Sequence, residues 1–299
     1  MEARFAGFRR FLAEEKHASD NTVQSYLRDI AAFDGCFLLQ GDEDYKNVTR
    51  SMVEDYFGGL ERAGRSSATA MRVRASLNCY FGYLLQKEIV AENPVKHIQV
   101  QKQARKMPEI LTADEVDRLL DAPDKTSFKG IRDRAMLELM YATGLKATEL
   151  IELNCSDVNL DVGFVRCRAG KQERYLPLYP SAAACLRAYW GPCRKSALVS
   201  DAEEALFLNT NGGRLTRQGF WKIIKQRTKE AGIDKDITPQ VLRHSLAIHL
   251  LQNGAELKDV QELLGHSDIA STQFYAKVFQ NTLMEKYKHI HPRAQNKTV

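Results

Sequence analysis

Arg243, His244, His249, His266 and Tyr275 gather in the last third of the chain, a concentration of side chains that can hold an anion or move a proton. A guanidinium presents a rigid fork of donors that matches a phosphate, an imidazole exchanges protons near neutrality, and a phenol is a latent nucleophile. Each also has a plain structural reading: an arginine in a helix-surface ion pair, a histidine packed at a helix end, a tyrosine in an apolar core. The residue types alone leave these readings open. Their spacing is more informative, with Arg243 and His266 separated by 23 positions and His266 and Tyr275 by 9.

These side chains need elements to position them. Leu242, Leu246 and Leu250 recur at helical spacing, which predicts an inward face with Arg243 and His244 beside it. Asn253-Gly254 turns the chain, and Leu257, Val260, Leu263 and Leu264 form the next apolar stripe. Gly265 predicts a C-cap, which places His266 just beyond a helix end. Upstream, the β-prone runs Phe164 to Cys167 and Tyr175 to Leu178 are joined by Arg168 to Glu173, a hairpin with Lys171 near its tip. Helical patterning spans Ile131 to Ala142, closed by Gly144, and returns at Ser181 to Tyr189 and Phe220 to Ala231.

The first part of the chain patterns differently. Val23, Tyr26, Leu27, Ile30 and Phe33 follow the cap-like Ser19-Asp20-Asn21-Thr22, and Val53, Phe57 and Leu60 follow Thr49. A third helix, Ser67 to Leu85, turns Leu77, Phe81 and Leu84 inward. Arg72 and Arg74 near its start suit a solvated face or, with Ser66, Ser67 and Thr69 close by, a contact to a DNA backbone. Asn93-Pro94 ends this unit, because the residue before proline avoids helical geometry. A basic stretch with Lys96, His97, Lys102, Arg105 and Lys106 follows, and the capping-box pair Thr112 and Glu115 opens a new domain. The expected fold is mainly α with a small antiparallel β-sheet. It comprises an all-helical domain over 1–95, a basic linker over 96–110 and an α+β domain over 111–299.

Composition agrees with two ordinary domains. The chain has 299 residues, 44% hydrophobic and 27% charged, against roughly 150 residues per domain. Its longest apolar stretch, near Ala135 to Leu145, is broken by Glu138 and falls short of the ~18 residues of a membrane span. The opening MEARFAGFRRFLAEEK lacks the apolar core of a secretory signal, so a cytoplasmic location is expected. Six scattered cysteines without a CxxC pair read as free thiols, and neither metal nor cofactor is expected. A net charge of +5 permits nucleic-acid binding. A helix-turn-helix regulator would account for the charge and for the helices around Asn253-Gly254, but not for the spacing of Arg243, His266 and Tyr275.

That spacing, with ATGLKATELIEL (142–153), LLGHSDIASTQFY (263–275), NTVQSY (21–26) and LMEKYKHIHPRA (283–294), resembles the tyrosine recombinase (phage integrase) family, and within it the Xer-type chromosome-dimer resolvases. The resemblance runs through almost the whole chain. It implies a helical core-binding, SAM-like first domain, a catalytic second domain, and double-stranded DNA as substrate. It also implies strand cutting without metal or ATP, in which Tyr275 attacks the scissile phosphate to give a 3′-phosphotyrosyl link and a free 5′-hydroxyl. Arg243 would grip the non-bridging oxygens and His266 would donate to the same phosphate, while His244 and His249 are read as structural. Four protomers would assemble on two sites, either alone or together with a second recombinase, each docking a tail on its neighbour; Leu283, Tyr287 and His291 suit such packing.

Two positions and one loop length depart from the family pattern. Lys146 stands where the first family arginine is expected, keeping the charge but losing the bidentate fork. Gln240 occupies a place commonly held by histidine and cannot shuttle a proton. The hairpin connection is one residue short, which leaves Lys171 as the general acid or as an exposed turn lysine. Losing one oxyanion donor costs ~10² to 10³ in rate, and acid-base help is worth ~10² to 10⁴. Two readings follow, a working site-specific recombinase or a cleavage-impaired DNA-binding accessory relative. The intact nucleophile favours the first.

Overall fold

The computed structural model describes residues 4–100, 109–169, 172–200, 202–266, 272–276 and 278–279. Lys102, Arg105, Lys106, Lys171 and the tail from 280 to 299 lie outside them. The chain divides into two units between Lys106 and Met107.

In the first unit, α1 (Ala6–Arg10) runs into a wider turn at Phe11–Glu15, followed by α2 (Asp20–Phe37), α3 (Arg50–Arg62) and α4 (Ser67–Gln86). Ser19, Thr49 and Ser66 cap α2, α3 and α4 by accepting from the backbone N–H three residues on. Leu77, Phe81 and Leu84 are fully buried, as their spacing predicts. Around them aromatic rings supply the core, with Phe8 edge-on to Tyr80 at 4.8 Å and Phe33 edge-on to Tyr56 at 5.0 Å. The polar groups near the start of α4 have partners here: Arg72 pairs with Asp29, which also accepts from Ser76 Oγ at 3.1 Å, and Arg74 Nε donates to the Ile98 carbonyl at 2.5 Å. The hydroxyls of Ser66 and Thr69 bond each other at 2.9 Å within the cap.

The second unit opens with α5 (Ala113–Asp121), whose capping box is complete: Glu115 N donates to Thr112 Oγ1 at 3.2 Å, and Thr112 N to Glu115 Oε2 at 2.7 Å. Next come α6 (Phe128–Thr143) and α7 (Ala147–Glu152). A three-stranded antiparallel sheet in the order β1 (Val158–Asn159), β2 (Phe164–Ala169), β3 (Gln172–Pro177) follows. The hairpin reaches further than the β-prone runs alone predict, because Arg168 and Glu173 face each other across it and pair at 3.2 Å. Then come α8 (Pro180–Ala188), α9 (Arg194–Ala197), α10 (Arg217–Glu230), α11 (Pro239–Gln252) and α12 (Leu257–Leu264), with helical backbone again at 272–276 and 278–279.

α6 is buried on most of its faces, and Met136, Leu139 and Met140 join Leu150, Val165, Leu176, Phe207, Phe220 and Leu242 in the main core. A smaller apolar cluster is separate from it: Ala247, Ile248, Val260, Leu264, Tyr275 and Val278. Where the chain enters this unit it is fastened to α11. Leu111 N donates to Ser245 Oγ at 2.9 Å, and its carbonyl meets His249 Nε2 at 2.9 Å, while His249 Nδ1 lies 2.8 Å from Tyr141 Oη. His249 is therefore structural, as expected.

Asp133 holds α6 and α10 together. One carboxylate oxygen accepts twice from Arg132 (2.9 and 2.7 Å) and the other twice from Arg227 (2.9 and 2.6 Å), all three residues being buried. Removing the anion leaves two buried guanidinium groups without it. Asp133→Ala should cost about 3–5 kcal/mol, seen as a lower denaturant midpoint; a midpoint equal to that of the native chain would contradict this account.

Candidate active site

α11 starts where Thr238 Oγ1 accepts from Val241 N at 3.3 Å and Pro239 sets the first helical turn. Arg243 in its second turn is only 5% exposed. Nη1 donates to the carbonyl of Gly144, and Nη2 to that of Leu264 at 2.6 Å. Both carbonyls sit at helix C-termini, those of α6 and α12, where backbone acceptors lack helical partners and the helix dipole is negative. Among the described residues no carboxylate comes within ion-pair distance of this guanidinium. Burial works against its charge, and the nearby Glu149 carboxylate partly offsets that.

Gly265 ends α12 in the left-handed region with φ 64°, and His266 follows it, as the sequence predicts. Nη2 of Arg243 donates to His266 Nε2 at 3.1 Å, so the ring proton belongs on Nδ1, which lies 3.0 Å from Thr272 Oγ1. Burial first, then the positive charges of Arg243 and Lys146, push the His266 imidazole down to about 4. The ring stacks on Tyr275 with centroids 6.0 Å apart and planes 7° from parallel. Tyr275 is buried, and its Oη lies 2.8 Å from Nδ1 of His244. Burial raises the phenol pKa above its ordinary value, while the Arg243 cation pulls the other way.

The remaining expected residues surround this centre unevenly. Lys146 precedes α7 with its side chain half exposed and Nζ 3.8 Å from Glu149 Oε1. Gln240 is exposed on the first turn of α11. Arg72 and Arg74 belong to the first unit.

Two residues have roles that reading the sequence did not find. His244, taken as structural, touches the phenol oxygen of Tyr275; 31 positions separate them, and no local pattern encodes the contact. Arg174 reaches from β3 to Glu149 at 2.9 Å and to the Leu263 carbonyl at 3.3 Å. It passes so close to Gly265 that a Cβ there would meet its guanidinium at 1.9 Å, so this glycine serves both backbone conformation and approach. Strand alternation is the signal that could have found it, since Arg174 lies on the same side of β3 as buried Leu176.

Burial lowers the pKa of His244, His249 and His266 alike. The unfolded chain therefore takes up protons near the ordinary value of about 6.5 that the folded chain refuses until lower pH. Stability from this source is present above that pH and is lost as pH falls toward 4. Thermal midpoints should drop across this window, less steeply in His266→Gln; an unchanged midpoint from pH 7 to 4.5 would exclude it.

Residues 109–282 match the Phage integrase family, and residues 5–88 match the Phage integrase N-terminal SAM-like domain. The chain is 44% identical to the tyrosine recombinase XerD of Oceanobacillus iheyensis, covering 98% of this chain and 100% of the relative. It is 41% identical to that of Listeria monocytogenes serotype 4b, over 96% and 98%. Among solved structures, the XerH site-specific recombinase bound to palindromic difH substrate in its post-cleavage complex superposes with a TM-score of 0.75 at 23% identity, over 91% of this chain and 81% of that one. A lambda integrase dimer bound to a COC′ core site does so with 0.70 at 20%, over 92% and 94%. This chain belongs to the phage integrase family.

Proposed function

We propose that this chain is a site-specific recombinase that cuts and rejoins double-stranded DNA through a 3′-phosphotyrosyl intermediate. The observation that carries this reading is the convergence of Arg243, His266 and Tyr275 from three separate segments on one connected cluster. Tyr275 Oη attacks the scissile phosphorus. The Arg243 fork, whose charge no carboxylate among the described residues neutralises, holds the non-bridging oxygens as negative charge grows on them. His266, neutral at pH 7, is assigned to the same phosphate through Nε2, which can donate once phosphate takes over the Arg243 contact and the ring proton moves from Nδ1 to Nε2. Lys146 adds a second positive group, and Lys171 is assigned as the acid that protonates the departing 5′-oxygen. The 5′-hydroxyl of a partner strand reverses the attack, so no external energy source is needed. The names of the relatives support this reading over that of an accessory DNA binder.

DNA contacts are assigned to Arg72 and Arg74 in the first unit and to Lys102, Arg105 and Lys106 in the linker; phosphate neutralisation would supply most of the affinity. We assign the chain to assemblies of four protomers on paired sites, in which residues 280–299 dock on a neighbour. A lambda integrase tetramer bound to a Holliday junction supports this by its fold, with a TM-score of 0.68.

A nicked duplex that traps the covalent intermediate tests the chemistry. Native protein should give a denaturation-resistant adduct and Tyr275→Phe none, while Lys146→Arg should raise the adduct rate about tenfold or more, a fraction of what one oxyanion donor is worth. Adduct formed by Tyr275→Phe would refute the assignment of the nucleophile, and an unchanged rate in Lys146→Arg that of Lys146. Deleting residues 280–299 should abolish cooperative binding to paired sites with single-site affinity kept; undiminished cooperativity would refute tail docking.

A further inference from the structure

Cleavage by Tyr275 needs an acceptor for the phenol proton. The burial that shields the ring raises its pKa, so the resting group is the neutral phenol. The histidine expected three positions before Arg243 is replaced by Gln240, which is exposed and has no basic nitrogen. His266 is engaged at both nitrogens, Nε2 by Arg243 and Nδ1 at Thr272. Among the described residues His244 remains, with Nδ1 at 2.8 Å from Tyr275 Oη and the two rings 5.4 Å apart.

We infer that His244 is a catalytic residue of this chain, the general base that takes the proton of Tyr275 as the phenol attacks phosphorus. The inference rests on the recombinase reading and deepens it. In the step, the Tyr275 O–H bond breaks and an Nδ1–H bond forms on His244. The Oη–phosphorus bond forms as the bond from phosphorus to the 5′-oxygen breaks, and that oxygen takes a proton from the acid assigned to Lys171. Rejoining runs the same transfers backwards, with the His244 imidazolium returning its proton to the departing phenolate. For this the resting imidazole must be neutral with its proton on Nε2. The groups facing it are Arg243 from its own helix, Phe274 and Tyr275 from the following helical segment, and His266 from the loop after α12. Burial first, and then the Arg243 cation, keep it neutral at pH 7.

His244→Asn tests this, since the amide oxygen stands near the place of Nδ1 and can accept the hydrogen bond but not the proton. On the nicked duplex, the variant should bind as tightly as the native chain and form adduct about 10²-fold more slowly at pH 7. Its rate should then climb roughly tenfold per pH unit, as expected where hydroxide replaces a built-in base. Native protein should show a level rate from pH 7 to 9, between titration of the imidazole and of the phenol. A fluorinated tyrosine of lower pKa at position 275 should speed the variant far more than the native chain. A variant rate within about threefold of native, with the same pH profile, would overturn the role of His244 alone. So would a native rate that itself climbs tenfold per unit, a measurement independent of how the variant folds. No adduct from native protein at any pH, with duplex binding intact, would overturn the recombinase reading and this inference together.

Discussion

A positive charge inside the protein is the constraint around which the second unit is arranged. An arginine as buried as Arg243 cannot shed its proton, and a buried cation is costly unless its donors are matched. The usual remedy is a carboxylate, and this fold uses one elsewhere, where Asp133 sits between Arg132 and Arg227. At Arg243 it uses two helix ends instead. The carbonyls of Gly144 and Leu264 close the hydrogen bonds, and the C-terminal dipoles of α6 and α12 supply partial negative charge. Among the described residues the cation is thus held without being neutralised by a full anion.

Much of the local chemistry follows from that choice. Burial first, and then the nearby cation, lowers the affinity of His244 and His266 for protons, so both imidazoles rest neutral and can accept as well as donate. Among the described residues, the carboxylate close by, Glu149, is turned toward Lys146 and Arg174. Arg174 in turn ties β3 to the end of α12, directly before His266. The sheet, whose Val165 and Leu176 lie in the main core, therefore also anchors the end of α12 that leads into His266.

What could be read in the sequence was whatever is encoded over a few residues. Ser19, Thr49 and the Thr112–Glu115 pair announced helix starts, and Gly144 and Gly265 announced left-handed ends, because caps are chemistry at short range. Arg243, His266 and Tyr275 were legible through spaced motifs, which encode more than local structure. Contacts between distant positions were not: Asp29 meets Arg72 across 43 residues, and His244 meets Tyr275 across 31. A single chain carries no signal for such pairs until it is folded. For the same reason Arg168 and Glu173 read as turn residues, although opposite charges facing each other across a strand pair extend the ladder.

The ring of Tyr275 belongs to the satellite cluster of Ala247, Ile248, Val260, Leu264 and Val278, not to the main core. Stability in a folded chain is not uniform, and units that pack separately can open separately. The main core, by contrast, runs from α5 through the sheet to Leu242 in the first turn of α11. A change confined to the seat of this ring therefore leaves the bulk of the hydrophobic interior untouched, because the two clusters share no buried residue.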